Sequence, residues 1–218
     1  IQPGTKLFIV CNPTNPTGYL PRPADLAAII ELAERHDFLV VADESYDRLV
    51  YDGEQVASVL EHWGQSDRVI LIRSLSKSHA LANWRVGYIV GPAALATIFT
   101  KVLEWECLHC AYVPQRVATA AIEGPQDWLL DVVTEYQRTR DVVYQSVADS
   151  AWLSCVKPPA GPFLFLNTMQ VEAQTGIPAD EQLRAVGIPT VAGRYFQAPG
   201  YVRLPFGGDT STIERLCQ

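Results

Sequence analysis

The chain has 218 residues, 48% of them hydrophobic, with 17 basic against 24 acidic side chains and a formal net charge of −7. That content can build the core of one large domain or of one and a half smaller ones, and the acidic balance offers no footprint for nucleic acid. No run of eighteen or more apolar residues occurs, so no membrane span is expected, and five scattered cysteines read as reduced thiols of a cytoplasmic protein.

Lys6–Val10 (KLFIV) is a short apolar run, hence a buried strand, and nothing ahead of it has the basic start and small-residue cleavage site of a signal peptide. CNPTNPTG (11–18) follows, with prolines and asparagines that favour turns. Residues 23–36 carry Leu26, Ile29, Ile30 and Ala33 at helical spacing, with Pro23 near the start, where a missing N–H costs little. DFLVVADE (37–44), RVILIRS (68–74) and RVGYIVG (85–91) are three further strands, apolar on both faces like the inner strands of a covered sheet. Helices are expected over Pro92–Glu106, Val113–Ile122 and Trp128–Ser150.

After about residue 150 short strands (Trp152–Val156, Pro162–Asn167, Thr190–Val191, Tyr201–Leu204) surround a helix at 179–186, with a loop at 158–161 and a last helix at Ser211–Cys217. The fold class is therefore α/β: a three-layer, mostly parallel sheet over residues 1–148, then a small α+β domain over 149–218. No internal repeat is present.

Polar residues gather where the strands end, which is where open parallel sheets bind ligands. Asn15 lies beyond the first strand, Asp43 and Tyr46 beyond the second, and Ser74, Ser76 and Lys77 beyond the third. Singly, each has an ordinary explanation. Lys77 would be a solvated loop residue, Asp43 a cap, Asn15 and Thr17 turn formers, and Arg85 half of a structural ion pair. Cys107-Leu-His-Cys110 has no second CxxC, so core or interface thiols are expected there rather than zinc. His79 and Trp84 read as packing, and Phe163 as either core or pocket lining.

Jointly, the segments CNPTNPTG, VVADESY, SLSKSHALANWRVG and YVRLPF resemble, in order and over nearly the whole chain, those of the class I/II aminotransferases. These are pyridoxal-phosphate enzymes of the aspartate aminotransferase fold (fold type I). The resemblance implies pyridoxal 5′-phosphate as cofactor and a role for each residue. Lys77 is similar to the lysine that forms a Schiff base with the cofactor aldehyde and later moves a proton. An amine must be uncharged to attack, and a lysine titrating near ~10.4 needs desolvation or neighbouring cations to get there. Asp43 resembles the acid that pairs with the pyridinium nitrogen, making the ring an electron sink. Asn15 and Tyr46 resemble the donors to the phenolic oxygen. Ser74, Ser76 and Arg85 resemble part of the phosphate cup. Arg203 resembles the arginine that grips the substrate α-carboxylate, with Asn15 beside it.

The activity implied is transamination between an L-amino acid and a 2-oxo acid, in a homodimer. The alternative is another reaction of the same cofactor, such as β-elimination, cyclisation, decarboxylation or oxidation, since the fold serves all of them. Family members are longer and carry, ahead of the NPTG segment, a phosphate-binding loop, an aromatic residue stacked on the ring and a residue lent to the neighbouring subunit. The chain is accordingly expected to be an N-terminally truncated fragment that binds the cofactor weakly by itself and has an unpaired sheet edge.

Overall fold

A computed structural model describes residues 1–62, 64–208 and 213; the helix expected at Ser211–Cys217 lies, apart from Ile213, outside the described residues. The chain divides into two units, one of residues 1–13, 20–48 and 55–130, the other of residues 14–19, 49–54 and 131–218.

The first unit contains β1 (Leu7–Cys11), α1 (Pro23–His36), β2 (Leu39–Asp43), β3 (Val69–Ser74), a single turn α2 (Leu75–Ser78), β4 (Gly87–Val90), α3 (Ala93–Cys107), α4 (Tyr112–Glu123) and the start of α5 (Trp128–Ala148). The sheet order is β1-β2-β3-β4. The first two pairings are parallel and β3–β4 is antiparallel. Side chains alternate across the sheet. Val40, Ala42, Val69 and Leu71 are buried together with Leu26, Ile30 and Ala33 of α1. On the opposite face Gly91 comes within reach of Ile70 and of Phe99 from α3. Helix α1 starts where expected: Pro23 occupies its first turn, and both the amide and the guanidinium of Arg22 donate to Asp25.

Among the described residues β2 and β3 are paired on both sides. Within this chain β1 and β4 are paired on one side, and Leu7, Phe8, Ile9 and Ile89 are exposed. An apolar run reports a strand that can be covered, and does not report which neighbour covers it.

The second unit holds the rest of α5, then β5 (Phe163–Asn167), α6 (Met169–Thr175), α7 (Ala179–Ala185), β6 (Val191–Ala192) and β7 (Tyr201–Pro205). Its antiparallel sheet has the order β5-β7-β6. Leu164, Leu166 and Val202 point into a core with Val143 and Val147 of α5, Tyr51 and Phe206. The strand expected at Trp152–Val156 is reduced to one bridge, Ser154 to Asn167. Helix α6 was not expected from sequence; its only apolar residues with strong periodic value are Met169 and Val171, too few to show a stripe. Arg140 of α5 is fully buried. It donates to both carboxylate oxygens of Asp52 (2.7 and 3.0 Å), to Asp141 (2.8 Å) and to the Pro158 carbonyl (3.1 Å), and lies over the Tyr51 ring at 4.8 Å.

Candidate active site

The parallel register sets Cys11, Asp43 and Ile72 side by side, so β1 and β2 end together and β3 runs on to Ser74 at the same edge. Asp43 is half-buried at that edge. Its Oδ1 accepts from the Ser45 backbone amide at 3.0 Å and from the Ser45 hydroxyl, while Oδ2 accepts nothing among the described residues. Tyr46 follows in the same turn, which Asp47 N closes on Glu44 O at 3.2 Å.

β3 passes into α2 through Ser74, whose hydroxyl oxygen accepts from Ser76 N at 3.1 Å and caps the turn that carries Lys77. The chain then returns. Leu75 N donates to Val86 O, Ala82–Trp84 forms a 3-10 turn, and Arg85 takes a left-handed conformation with its guanidinium on the Ala82 carbonyl at 2.9 Å. Gly87 pairs with Ser74, and a Cβ on it would sit 2.6 Å from Arg73 O, so the backbone approach requires glycine. Ser74, Ser76, Arg85 and Gly87 line one cavity of about 640 Å³. Lys77 is exposed, so these elements alone do not supply the desolvation expected at a reactive amine.

A buried charged cluster underpins the two strand ends. Glu44, fully buried, accepts from Ser58 Oγ (2.8 Å), Val59 N (2.9 Å) and Arg73 Nη2 (2.9 Å), and Arg73 also pairs with Asp47 at 3.4 Å. Burial pushes the Asp47 carboxyl above its usual range, against the pull of Arg73 and Arg48. Sequence reasoning passed over Glu44 and Arg73. The available signal was a charge at the end or in the middle of an otherwise apolar strand, which has to find a partner.

In the second unit Arg203 of β7 donates from Nη1 to Asn15 Oδ1 at 2.9 Å. Its guanidinium lies 4.4 Å from the Phe163 ring centre and 5.1 Å from that of Phe196, and its buried Nε has no partner among the described residues. A planar cation held between aromatic faces with a donor left over suits a carboxylate. The Asn15 turn packs closely. Gly18 has φ +70°, and a Cβ there would lie 2.2 Å from the Ala160 carbonyl oxygen. Asn12–Pro13 and Asn15–Pro16 are cis. An adjoining cavity of about 660 Å³ includes Thr17, Tyr19, Cys155, Phe165, Asn167 and Tyr201 in its lining.

Of the expected residues, Asp43, Tyr46, Ser74, Ser76, Lys77 and Arg85 thus stand at neighbouring strand ends and loops of the first unit, and Asn15 and Arg203 meet in the second. Of the Arg203 partners, Phe163 was read as either core or pocket lining, and Phe196 was passed over because nothing in RYFQ marks it. The set fits pyridoxal phosphate chemically: an unused carboxylate oxygen for a protonated ring nitrogen, two hydroxyls and a guanidinium on one cavity for a phosphate, and an amine on the intervening turn. Cys107 and Cys110 are free thiols, and among the described residues no group of three or more His, Cys, Asp or Glu could hold a metal ion.

The family model described as aminotransferase class I and II matches residues 1–218. The arginine–pyruvate transaminase AruH of Pseudomonas aeruginosa is 36% identical over 221 residues, covering 100% of this chain and 56% of that protein. An aspartate aminotransferase of Geobacillus stearothermophilus is 29% identical, covering 98% of this chain and 56% of the relative. Among solved structures, a double mutant of Thermus thermophilus aspartate aminotransferase superposes with a TM-score of 0.88 at 26% identity, and OvoB with 0.91 at 27%. Both comparisons cover all of this chain and 56% and 57% of the other. The chain thus spans just over half the length of the relatives it matches, and it belongs to the class I and II aminotransferases.

Proposed function

We propose that the whole protein transaminates an L-amino acid with a 2-oxo acid, using pyridoxal phosphate attached through Lys77. The cofactor, when bound, supplies the electron sink. Asp43 would hold a proton on the ring nitrogen with its unused Oδ2, while Ser45 fixes the carboxylate through Oδ1. Ser74, Ser76 and Arg85 would hold the phosphate from the cavity they share. Asn15 and Tyr46 would donate to the phenolic oxygen. Arg203 would orient the substrate by its carboxylate, so that the Cα–H faces Lys77 Nζ, the group that carries the proton. The large-domain span 1–148, the small-domain span 149–218, a homodimeric assembly and a cytoplasmic location belong to the same proposal.

The observation that carries it is the register: Asp43 and the turn bearing Ser74, Ser76 and Lys77 leave adjacent parallel strands at the same edge. The test is borohydride reduction of the loaded whole protein, followed by peptide mass measurement and a screen of amino acids against oxo acids. Cofactor mass on Lys77, with new amino acid formed from the oxo acid, supports the proposal. Cofactor mass elsewhere, or release of ammonia and pyruvate in place of transfer, refutes it.

A further inference from the structure

His79 ends the turn that carries Lys77, and the roles above make no use of it. Its ring is held on several sides. Nδ1 lies 2.8 Å from Ser78 Oγ, the ring lines the same small cavity as the Gln126 side chain, and it meets Trp128 edge-on at 6.3 Å between centres. It borders a small cavity of about 130 Å³ that also contains Asp47, Arg48, Arg73, Ser78 and Tyr88.

The hydrogens can be counted. Gln126 Nε2 donates to the carbonyls of Ala121 and Gly124, both at 2.8 Å. Its oxygen is left to accept, and with Nδ1 facing Ser78 the ring nitrogen open to the cavity they share is Nε2, the nitrogen assigned the hydrogen. Ser78 has one hydroxyl hydrogen and two claimants: the Ser74 carbonyl at 3.2 Å, and His79 Nδ1. With a neutral ring, Nδ1 is bare and takes it. With a charged ring, Nδ1–H donates to Ser78 Oγ, and the hydroxyl hydrogen goes to Ser74 O. That second arrangement adds a bond across the turn in which Lys77 sits, on the residue whose own hydroxyl caps it.

We propose that His79 is a positioning residue for Lys77: the number of protons on its ring decides whether Ser78 ties the turn shut on Ser74. The inference rests on Lys77 being the covalent ligand. Burial, with Arg48 adding to it, lowers the affinity of the ring for a second proton, while the Gln126 bond and Asp47 oppose this. The charged and titratable groups facing the ring are Asp47 and Arg48 from the turn after β2, Arg73 from β3 and Tyr88 from β4. At neutral pH the hydroxyl therefore points at the ring and the turn is loose; it closes as the pH falls.

Two variants set the turn in opposite states. Ser78→Ala removes the hydroxyl and leaves the turn permanently open. His79→Asn puts an amide N–H near the Nδ1 position, which donates at every pH and leaves it permanently closed. In the whole protein loaded with pyridoxal phosphate, His79→Asn is expected to move the midpoint of the cofactor's visible absorbance titration by about half a pH unit or more, while Ser78→Ala, which matches the open turn of the neutral wild type, leaves it in place. In the cofactor-free protein, ¹⁵N signals of His79 above pH 7.5 should show the Nε2–H tautomer. A Lys77 adduct with the His79→Asn midpoint unmoved overturns the inference, as does an Nδ1–H tautomer. Should His79→Asn fail to fold, Ser78→Ala decides alone through the ¹⁵N titration of His79, whose midpoint should move once the coupled hydroxyl is gone; a ring midpoint equal to wild type overturns the inference. Absence of any Lys77 adduct overturns the functional proposal as well, so the two failures are told apart.

Discussion

Gly18→Ala is the sharpest test of how the NPTG segment works. Gly18 has φ +70°, and the added methyl carbon would lie 2.2 Å from Ala160 O and 2.7 Å from Pro158 Cβ. Gly53 is a matched control: φ +76°, with nothing within 4 Å of the built Cβ. Both substitutions incur the left-handed penalty of an L residue, about 1–2 kcal/mol. Gly18→Ala adds an overpacking cost of about 1–3 kcal/mol, because the obstacles are a backbone carbonyl and a proline ring rather than a mobile side-chain tip. Urea unfolding of the whole protein, followed by a probe in the second unit, should therefore show Gly18→Ala less stable than Gly53→Ala by about 1–3 kcal/mol. The 14–19 turn must also withdraw from the 158–161 loop, taking Asn15 off Arg203, so affinity for a carboxylate substrate analogue should fall with Gly18→Ala alone. Equal stability losses in the two variants, or unchanged analogue affinity in Gly18→Ala, would refute the reasoning.

Arg203→Lys keeps the charge but loses the planar fork, so kcat/KM should fall about ten- to hundredfold, for roughly 1.5–3 kcal/mol of charge-assisted bonding; wild-type steady-state kinetics would contradict the carboxylate role. The Arg140 hydrogen bonds hold the Asp52 carboxyl below its usual range, with burial opposing. The folded value lies under the unfolded one, so this stabilisation is complete above about pH 3.9 and disappears as the pH falls through the folded value; Asp52→Asn should flatten the acid limb of the unfolding curve there. Burial pushes the Cys155 thiol up to about 11, so its alkylation at pH 8 should run about a hundredfold slower than that of an ordinary thiol, and equal rates in a peptide-mapped iodoacetamide time course would contradict its burial.

The elements legible in the sequence were those whose pattern is local. Helix α1 was marked by Pro23 and four apolar positions at helical spacing, and β2 and β3 by apolar runs closing on Asp43 and Ser74. The candidate site residues follow strand ends within a few positions, so their order along the chain nearly gives their order in space. What stayed hidden depends on non-local partners. The Glu44–Arg73 pair needs the register of β2 on β3, and the Phe196 contact to Arg203 needs the path of the chain from β6 to β7. Whether Lys77 is desolvated is a property of what surrounds its turn, and a run of residues carries no count of its surroundings.

The pairing of Ser74 with Gly87 makes the segment between them a closed circuit fastened at both ends. Lys77 and Arg85 ride on the same circuit, and their separation is therefore metered by sheet geometry. A single inserted residue between 78 and 84 could not be absorbed as slack. It would have to swing the guanidinium away from Ser74 and Ser76 or shift β4 along β3, turning its side chains to the other face. Tolerance to insertion should accordingly drop to nothing within this circuit.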